Sequence, residues 1–229
     1  MKAVILGGGN GTRLMPLTKN KPKMLVEVAG RPILEHILDF IPQEIGEIVV
    51  VVSPRFKPLL FERFGKEFGG RKIHYVIQQS PTGTAHALSL CRDVLGEEKF
   101  LLLPGDDFQS KAALEKLIKN ELAILLATHK DPRSFGVAQV DEENRILLGI
   151  EEKPEKPKSN LISTSVMVLD SRIFKYGSKK RENGEHYLPD QVTGLAKEYP
   201  VRYEITDFWK PVSYPEDVTA LEKIFKYEK

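Results

Sequence analysis

The sequence begins with Val4-Ile-Leu-Gly-Gly-Gly-Asn-Gly-Thr-Arg13 and continues through Met15-Pro-Leu-Thr18 to Lys21-Pro-Lys23. An apolar run enters a loop in which four of five residues are glycine, and two cations follow at Arg13 and Lys23. Glycines let backbone N–H groups approach an anion closely, because no side chain intervenes. Arginine grips phosphate oxygens as a planar fork, and lysine acts as a mobile point charge. The stretch therefore predicts a cradle for the phosphates of a nucleotide.

Two other glycine-loop classes do not fit the spacing. A Walker loop needs Gly, four residues and then Gly-Lys-Ser/Thr, and no such pattern follows Gly7. A dinucleotide-binding loop needs a third Gly or Ala where Thr12 stands. It also needs an acidic residue at the end of the second strand, where the chain reads Val49-Val-Val-Val-Ser53. A turn without a ligand is the remaining alternative, and it would leave both cations without a role.

The glycine loop and its cations resemble the signature of the sugar-phosphate nucleotidylyltransferases. That signature is Gly-x-Gly-Thr-Arg, matched by Gly9–Arg13, and it continues at Pro16, Thr18, Pro22 and Lys23. Later stretches match as well, so the resemblance covers nearly the whole chain. It implies a nucleotide-diphospho-sugar transferase fold of the GT-A-like type, in a short, single-domain member of the family. It also implies an Mg²⁺-dependent reaction between an NTP and a sugar 1-phosphate.

Composition and charge exclude several other classes. The 229 residues are 41% hydrophobic, and the net charge of +2 arises from 34 basic and 32 acidic residues spread along the chain. The sequence contains no basic block of the kind found in nucleic-acid-binding proteins, so a nucleic-acid partner is not expected. No apolar run reaches the roughly 18 residues that suggest a membrane span. The single cysteine, Cys91, cannot form an internal disulfide, which predicts a cytoplasmic protein.

Strand-like and helix-like segments alternate along the chain. This alternation predicts an α/β fold with three layers, α/β/α, around a mixed, mostly parallel central sheet. Antiparallel strands are expected in the second half, and 1–229 is expected to form one nucleotidyltransferase domain. Strands are predicted at 2–6, 47–52, 72–78, 99–103, 122–128, 136–141, 145–151, 161–169 and 201–205. Helices are predicted after Pro32, at 58–68, from Thr84 through Cys91, and at 111–119, 187–197 and 215–227.

Ligands of open α/β sheets bind outside the carboxyl ends of the strands, and Gln78 is the last residue of a predicted strand. A glutamine amide offers a donor and an acceptor, enough to recognise the edge of a base. In pyrimidine-using relatives, a Gln and a Gly at the spacing of Gln78 and Gly83 contact the base, so the resemblance favours UTP or dTTP. A polar loop that only caps the helix at Thr84 is the alternative. The predicted nucleotide-binding residues are Leu6, Gly7, Gly8, Gly9, Gly11, Thr12, Arg13, Gln78, Gly83 and Thr84.

A third strand end carries Pro104-Gly-Asp-Asp107. A carboxylate at such a place suits Mg²⁺, a hard ion that takes oxygen ligands and bridges phosphates. The family's Gly-Asp motif implies that Asp106 is the metal ligand. By the same resemblance, Arg13, Lys23 and Asp106 are the expected catalytic residues. An aspartate in a solvent-exposed turn is the alternative interpretation.

Sugar-side residues follow from the resemblance alone. Glu152 and Lys153 match the family's Glu-Lys-Pro motif, which implies hydrogen bonds to sugar hydroxyls and a cation for the sugar phosphate. Gly136, Asn160 and Thr164 resemble further sugar contacts. Without the resemblance, the Glu-Lys-Pro stretch is simply a charged strand end.

The match breaks near the end of the chain. Relatives have Trp-x-Asp-x-Gly, whose Asp is a second metal ligand, but Pro211 stands at that position after Trp209. Either Asp207 or Asp107 supplies the missing carboxylate, or Asp106 holds Mg²⁺ with phosphates and water. Alternatively, the chain is a non-catalytic subunit that binds a nucleotide sugar, or a relative that uses GTP or CTP. Because the other motif residues are present, an active enzyme is favoured.

Overall fold

A ten-stranded mixed sheet forms the centre of the protein, whose computed structural model describes residues 1–227. The strands are β1 (Lys2–Leu6), β2 (Glu27–Val28), β3 (Arg31–Pro32), β4 (Glu47–Val52), β5 (Glu67–Phe68), β6 (Arg71–Ile77), β7 (Phe100–Pro104), β8 (Asp107–Gln109), β9 (Ala123–Thr128), β10 (Gly136–Asp141), β11 (Ile146–Glu152), β12 (Leu161–Leu169), β13 (Arg202–Ile205) and β14 (Trp209–Pro211). In the large sheet they lie in the order β10-β11-β13-β9-β12-β7-β1-β4-β6-β5.

Helices cover both faces of this sheet. They are α1 (Ile33–Phe40), α2 (Lys57–Phe64), α3 (Thr84–Ser89), α4 (Arg92–Leu95), α5 (Lys111–Leu117), α6 (Leu188–Ala196) and α7 (Pro215–Tyr227). Alternate side chains of a strand point to opposite faces. In β1, Ala3 and Ile5 accordingly join the core under α1, α2, α5 and α7, whereas Val4 joins the core under α3, α4 and α6. Burial on both faces explains the continuous apolar runs of the central strands.

Strand directions divide the sheet into two regions. β7, β1, β4 and β6 are mutually parallel, so their carboxyl ends open at one edge. β12 runs antiparallel to both β7 and β9, and β10 and β11 form an antiparallel hairpin. The predicted fold class, three layers around a mixed and mostly parallel sheet, is therefore confirmed. Within residues 1–227, no helix has both the length and the apolar character needed to cross a membrane.

The structure differs from the predicted elements at a few local points. The helix predicted at 58–68 ends at Phe64, because Gly65 takes a left-handed backbone conformation (φ 60°) and Glu67–Phe68 pairs with β6 instead. Cys91 lies at the start of α4, after α3 has ended at Ser89. The small pairs β2–β3 and β8–β14 were not predicted, because two- and three-residue strands carry no periodicity.

Candidate active site

A cleft of about 510 Å³ opens at the carboxyl ends of the parallel strands. Every residue predicted to bind the nucleotide lines it, together with Lys23 and Asp106. Asp107, Asp207 and the five residues predicted to bind the sugar phosphate are not among its lining residues. The structure thus brings the predicted nucleotide-binding residues together in one cavity, and the predicted sugar-phosphate-binding residues lie outside its lining.

The glycine loop packs so closely that side chains are excluded. The Gly7 N–H donates to the Val51 carbonyl at 2.9 Å, which ties the loop to the end of β4. A Cβ on Gly8 would stand 2.1 Å from Gln78 Oε1, well inside van der Waals contact. Gly11 adopts φ 63°, the left-handed region that favours glycine. The loop is therefore a bare backbone surface directly beside the Gln78 side chain.

Lys23 and Asp106 meet at the head of the cleft although 83 residues separate them. Lys23 Nζ lies 2.5 Å from Asp106 Oδ2, and both side chains are partly buried. Arg13 also lines the cleft, on a short 3-10 helix, and among residues 1–227 it has no acidic partner within 4.0 Å. Two cations thus face the cavity, and one of them contacts the carboxylate that the sequence predicts as a metal ligand.

Asp107 is held by the short β8–β14 pair. Trp209 Nε1 donates to Asp107 Oδ2 at 2.8 Å, and Pro211 is the residue opposite Asp107 in the pairing. Burial, and next the neighbouring Asp106 carboxylate, hold the pKa of Asp107 well above its ordinary value. Asp107 therefore holds a proton more tightly than an ordinary aspartate does, which weakens it as an anionic ligand for a metal.

Among the carboxylates considered as Mg²⁺ ligands, one is well placed, that of Asp106. No group of three or more His, Cys, Asp or Glu side chains suited to a metal occurs in the described part of the chain. Asp207 is exposed and lies outside the cleft, and Pro211 has no side-chain oxygen. Mg²⁺ is commonly held through one or two carboxylates plus substrate phosphates and water. Asp106, open to a cavity lined by the glycine loop, fits that mode of binding.

Gln78 is a buried amide with a fixed orientation. Its side-chain nitrogen donates to the Gly83 carbonyl at 3.3 Å and lies 3.3 Å from His86 Nδ1. Thr82 Oγ1 lies 2.6 Å from the same nitrogen of His86. With the amide nitrogen bonded to the Gly83 carbonyl, Oε1 is the atom directed at Gly8 and the cleft wall.

The loop after β6 is fixed by a distant segment. His186 N donates to the Thr82 carbonyl, and the His186 carbonyl accepts from Ala85 N. A Cβ on Gly83, whose φ is 104°, would stand 2.2 Å from that carbonyl oxygen. Gly83 is thus required both by its backbone angle and by the approach of residue 186.

Part of the predicted sugar-side set lies next to the cleft. A Cβ on Gly136 would be 3.2 Å from Glu152 Oε2, so these two residues are neighbours. Burial raises the pKa of Glu152, partly offset by the charges of Lys153 and Arg181. Lys153 Nζ lies 5.8 Å from the centre of the Tyr187 ring, and Tyr187 lines the cleft. Glu152 and Lys153 therefore flank the cleft wall.

Asn160 and Thr164 stand apart from this group. Asn160 is exposed, and its carbonyl accepts from His129 N at 2.9 Å. Thr164 is 1% exposed, and its hydroxyl donates to the Leu125 carbonyl at 2.9 Å. The Thr164 side chain thus bonds to a structural neighbour, Asn160 makes its contact through the backbone, and the predicted sugar contacts stay predictions.

Several cleft residues were missed by sequence reasoning. The missed residues include Met24, Ser165, Glu185, Tyr187, Leu188 and Ser213. Glu185 and Tyr187 arrive through the loop that pairs with Thr82, and Ser213 follows Val212, whose N–H donates to the Asp106 carbonyl at 3.0 Å. Such contacts depend on long-range chain placement, which leaves no local sequence signal.

The nucleotidyl transferase family model matches residues 2–224. The bifunctional protein GlmU of Methanocaldococcus jannaschii is 34% identical over 97% of this chain and 54% of its own length. A glucose-1-phosphate thymidylyltransferase of Streptomyces griseus is 34% identical over 76% of this chain and 51% of its own length. The chain thus spans about half the length of these curated relatives.

A solved structure is similar across nearly the whole fold. It is a crystal structure assigned to a glucose-1-phosphate thymidylyltransferase from Bacillus anthracis, in complex with a sucrose. The TM-score is 0.86 at 28% identity, with 98% of this chain and 94% of that chain covered. Both the extent of the family match and the shared architecture agree with the motif at Gly9–Arg13. The chain belongs to the nucleotidyl transferase family.

Proposed function

We propose that the protein transfers a nucleoside monophosphate from an NTP to a sugar 1-phosphate, giving a nucleotide sugar and pyrophosphate. The observation that carries the proposal is the Lys23–Asp106 pair at 2.5 Å at the head of a cleft walled by the glycine loop. Family membership and the names of the relatives support the same reaction. One cavity then holds the triphosphate, and its flank holds the sugar.

The reaction needs positioning and charge stabilisation more than proton transfer. A sugar phosphate oxygen is already anionic, so it attacks the α-phosphorus in line without a general base. The bare amides of the glycine loop and Arg13 hold the β- and γ-phosphates, which leave as pyrophosphate. Lys23 stabilises the negative charge that develops on the α-phosphate. In the substrate complex, Lys23 would therefore divide its charge between Asp106 and phosphate oxygens.

Asp106 would hold Mg²⁺ together with phosphate oxygens. When bound, Mg²⁺ supplies positive charge that neutralises the triphosphate and orients it. Asp107 would help to hold Asp106 in position, because its hydrogen bond with Trp209 anchors the segment that carries both aspartates. Asp207, exposed and outside the cleft, is the weaker candidate for a second ligand.

UTP or dTTP is the proposed nucleotide. Gln78 engages its amide nitrogen with Gly83 and His86, which leaves Oε1 as the acceptor at the cleft wall. Uracil and thymine carry an N–H donor on their pairing edge, whereas cytosine carries an acceptor at the equivalent ring nitrogen. An acceptor on the protein can bond to the ring N–H of uracil or thymine. The same acceptor would repel the ring nitrogen of cytosine, which is itself an acceptor.

Sugar 1-phosphate is proposed to bind beside Glu152 and Lys153. The Lys153 ammonium would neutralise the sugar phosphate, and the partly buried Glu152 carboxylate would accept hydrogen bonds from sugar hydroxyls. Gly136 would meet the sugar ring through its backbone, because a Cβ there would stand 2.9 Å from Ile150 Cγ2 and 3.2 Å from Glu152 Oε2. Residues 1–229 are proposed to act as one nucleotidyltransferase domain in the cytoplasm, where the free and buried Cys91 would stay reduced.

Pyrophosphate release with a panel of NTPs and sugar 1-phosphates tests the proposal. Release is expected with UTP or dTTP and one or a few sugars, and only when both substrates are present. Pro211, in place of a carboxylate, favours one second candidate, a subunit that binds a nucleotide sugar without catalysis. That subunit would bind nucleotide sugars in calorimetry and release no pyrophosphate with any pair. Faster release with GTP or CTP would contradict the base assignment alone.

A further inference from the structure

Among residues 1–227, four residues other than glycine have a left-handed backbone conformation: Ala29, Arg145, Lys153 and Ser165. Ala29 and Arg145 lie in the tight turns between β2 and β3 and between β10 and β11, where such angles are ordinary. Ser165 differs, because it lies inside strand β12 with φ 61°. A residue with a side chain is strained at this angle, and strain of this kind gathers at functional sites.

A bulge in β12 holds Ser165 in this conformation. The pairing of β12 with β9 changes register between Ser163 and Met167. Ser163 Oγ accepts from Ser165 N at 3.0 Å, and the Thr164 hydroxyl donates to the Leu125 carbonyl of β9 at 2.9 Å. Thr164 and Val166 are buried, whereas Ser165 is exposed and lines the cleft. The neighbouring hydroxyls thus anchor the strand and force Ser165 outward.

Ser165 lies between the two parts of the site. Met167 pairs with Leu102 of antiparallel β7, and Ser165 lines the same cleft as Pro104 and Asp106. On the other side, Ser163 Cβ is 3.8 Å from the place where a Cβ on Gly136 would stand. The Ser165 hydroxyl itself has no hydrogen-bond partner among the described residues. The Ser165 hydroxyl thus lies between the region of Asp106 and the region of Gly136.

We propose that the Ser165 hydroxyl binds the sugar 1-phosphate at the junction of its ring and its phosphate, which makes Ser165 a specificity-determining residue. The inference rests on the proposed function, since it assigns one contact to the proposed substrate. Glycine would satisfy the backbone angle without strain, so the serine costs stability and supplies only its hydroxyl. An exposed hydroxyl kept at that cost in a cleft is the pattern of stability traded for binding.

Three variants separate the hydroxyl from the backbone. Ser165→Gly removes both the hydroxyl and the strain, and Ser165→Ala removes the hydroxyl but keeps a side chain at φ 61°. Ala29→Gly is the matched control, because it relieves a left-handed residue that does not line the cleft. Initial rates give the KM for each substrate, and thermal unfolding gives the Tm.

Loss of a hydrogen bond to a charged phosphate should raise the KM for sugar 1-phosphate about 10- to 100-fold in both Ser165 variants, with the KM for NTP unchanged. Ser165→Gly should also raise the Tm by about 2–4 °C, whereas Ser165→Ala should not. Ala29→Gly should leave both KM values unchanged. An unchanged KM for sugar 1-phosphate in both Ser165 variants would overturn the assignment, as would an equal rise for NTP. Absence of pyrophosphate release by the unsubstituted protein would instead refute the proposed function.

Discussion

The two sides of the cleft are built in different ways. On the side proposed to bind the nucleotide (the nucleotide side), the glycine loop, Gln78 and Asp106 each follow a strand of one parallel block, β1, β6 and β7. On the side proposed to bind the sugar (the sugar side), Glu152 ends an antiparallel strand, and Ser165 lies in a bulge. Parallel strands deliver successive loops to one edge by topology alone. On antiparallel strands and bulges, the position of each side chain depends on the pairing register, so the position of each residue on the sugar side has to be specified separately.

Loss of Lys23 should have the largest effect, because its ammonium is proposed to stabilise the charge on the α-phosphate. Removing a preorganised cation from such a site typically lowers kcat about 10²- to 10³-fold. Lys23→Ala is expected to show this loss in steady-state pyrophosphate release, with the far-UV circular dichroism spectrum unchanged. Lys19→Ala, an exposed lysine outside the cleft, should keep full activity. Ordinary turnover by Lys23→Ala would contradict the proposed role.

Lys153 tests the sugar side by itself. Lys153→Met keeps the length of the side chain and removes the ammonium, which should raise the KM for sugar 1-phosphate about 10- to 100-fold. The KM for NTP should stay constant, because Lys153 flanks the cleft and does not line its nucleotide end. Lys156→Met, in the same exposed loop, is the control. Parallel rises of both KM values would mean that the two sides do not bind separate substrates.

A smaller change is expected from adding a carboxylate next to Asp107. Pro211→Asp places an acidic side chain opposite Asp107 in the β8–β14 pair. One more charged oxygen ligand should lower the Mg²⁺ concentration that gives half the maximal rate, by about 10-fold. Lys210→Asp adds the same charge to the neighbouring exposed residue and should leave the Mg²⁺ dependence unchanged. If Pro211→Asp also leaves it unchanged, position 211 does not face the metal.

The smallest effect concerns the pH dependence of stability through Glu152. Burial raises its pKa in the folded protein, so the folded state binds this proton more tightly than the unfolded state. Stability therefore falls as pH rises from the ordinary glutamate range through the raised value, and the cost is complete above that value. Glu152→Gln should raise the Tm at pH 7 by no more than about 4 °C and should lose this advantage in acid. Glu151→Gln, an exposed neighbour, should change little; equal Tm profiles for both variants would exclude a buried charge at Glu152.

The residues predicted to bind the nucleotide all line the cleft, whereas those predicted to bind the sugar phosphate do not, and both binding roles stay predictions. Glycine spacing and the strands before Gln78 and Asp106 are local features, and the fold rule for parallel strand ends places them together. The Lys23–Asp106 contact spans 83 residues, yet both ends lie in recognisable motifs. Tyr187 and Ser213 carry no such motif. They reach the cleft through a loop and a three-residue strand whose pairing only the whole structure determines.

Isotope tracing tests the central reaction most directly. With [α-³²P]UTP or dTTP, an accepted sugar 1-phosphate and Mg²⁺, the label should appear in a nucleotide sugar, and with the γ-labelled NTP it should appear in pyrophosphate. This distribution follows only if the α-phosphorus is attacked and the two outer phosphates leave together. Transfer of the γ label to the sugar, or no transfer of the α label with any substrate pair, would contradict it.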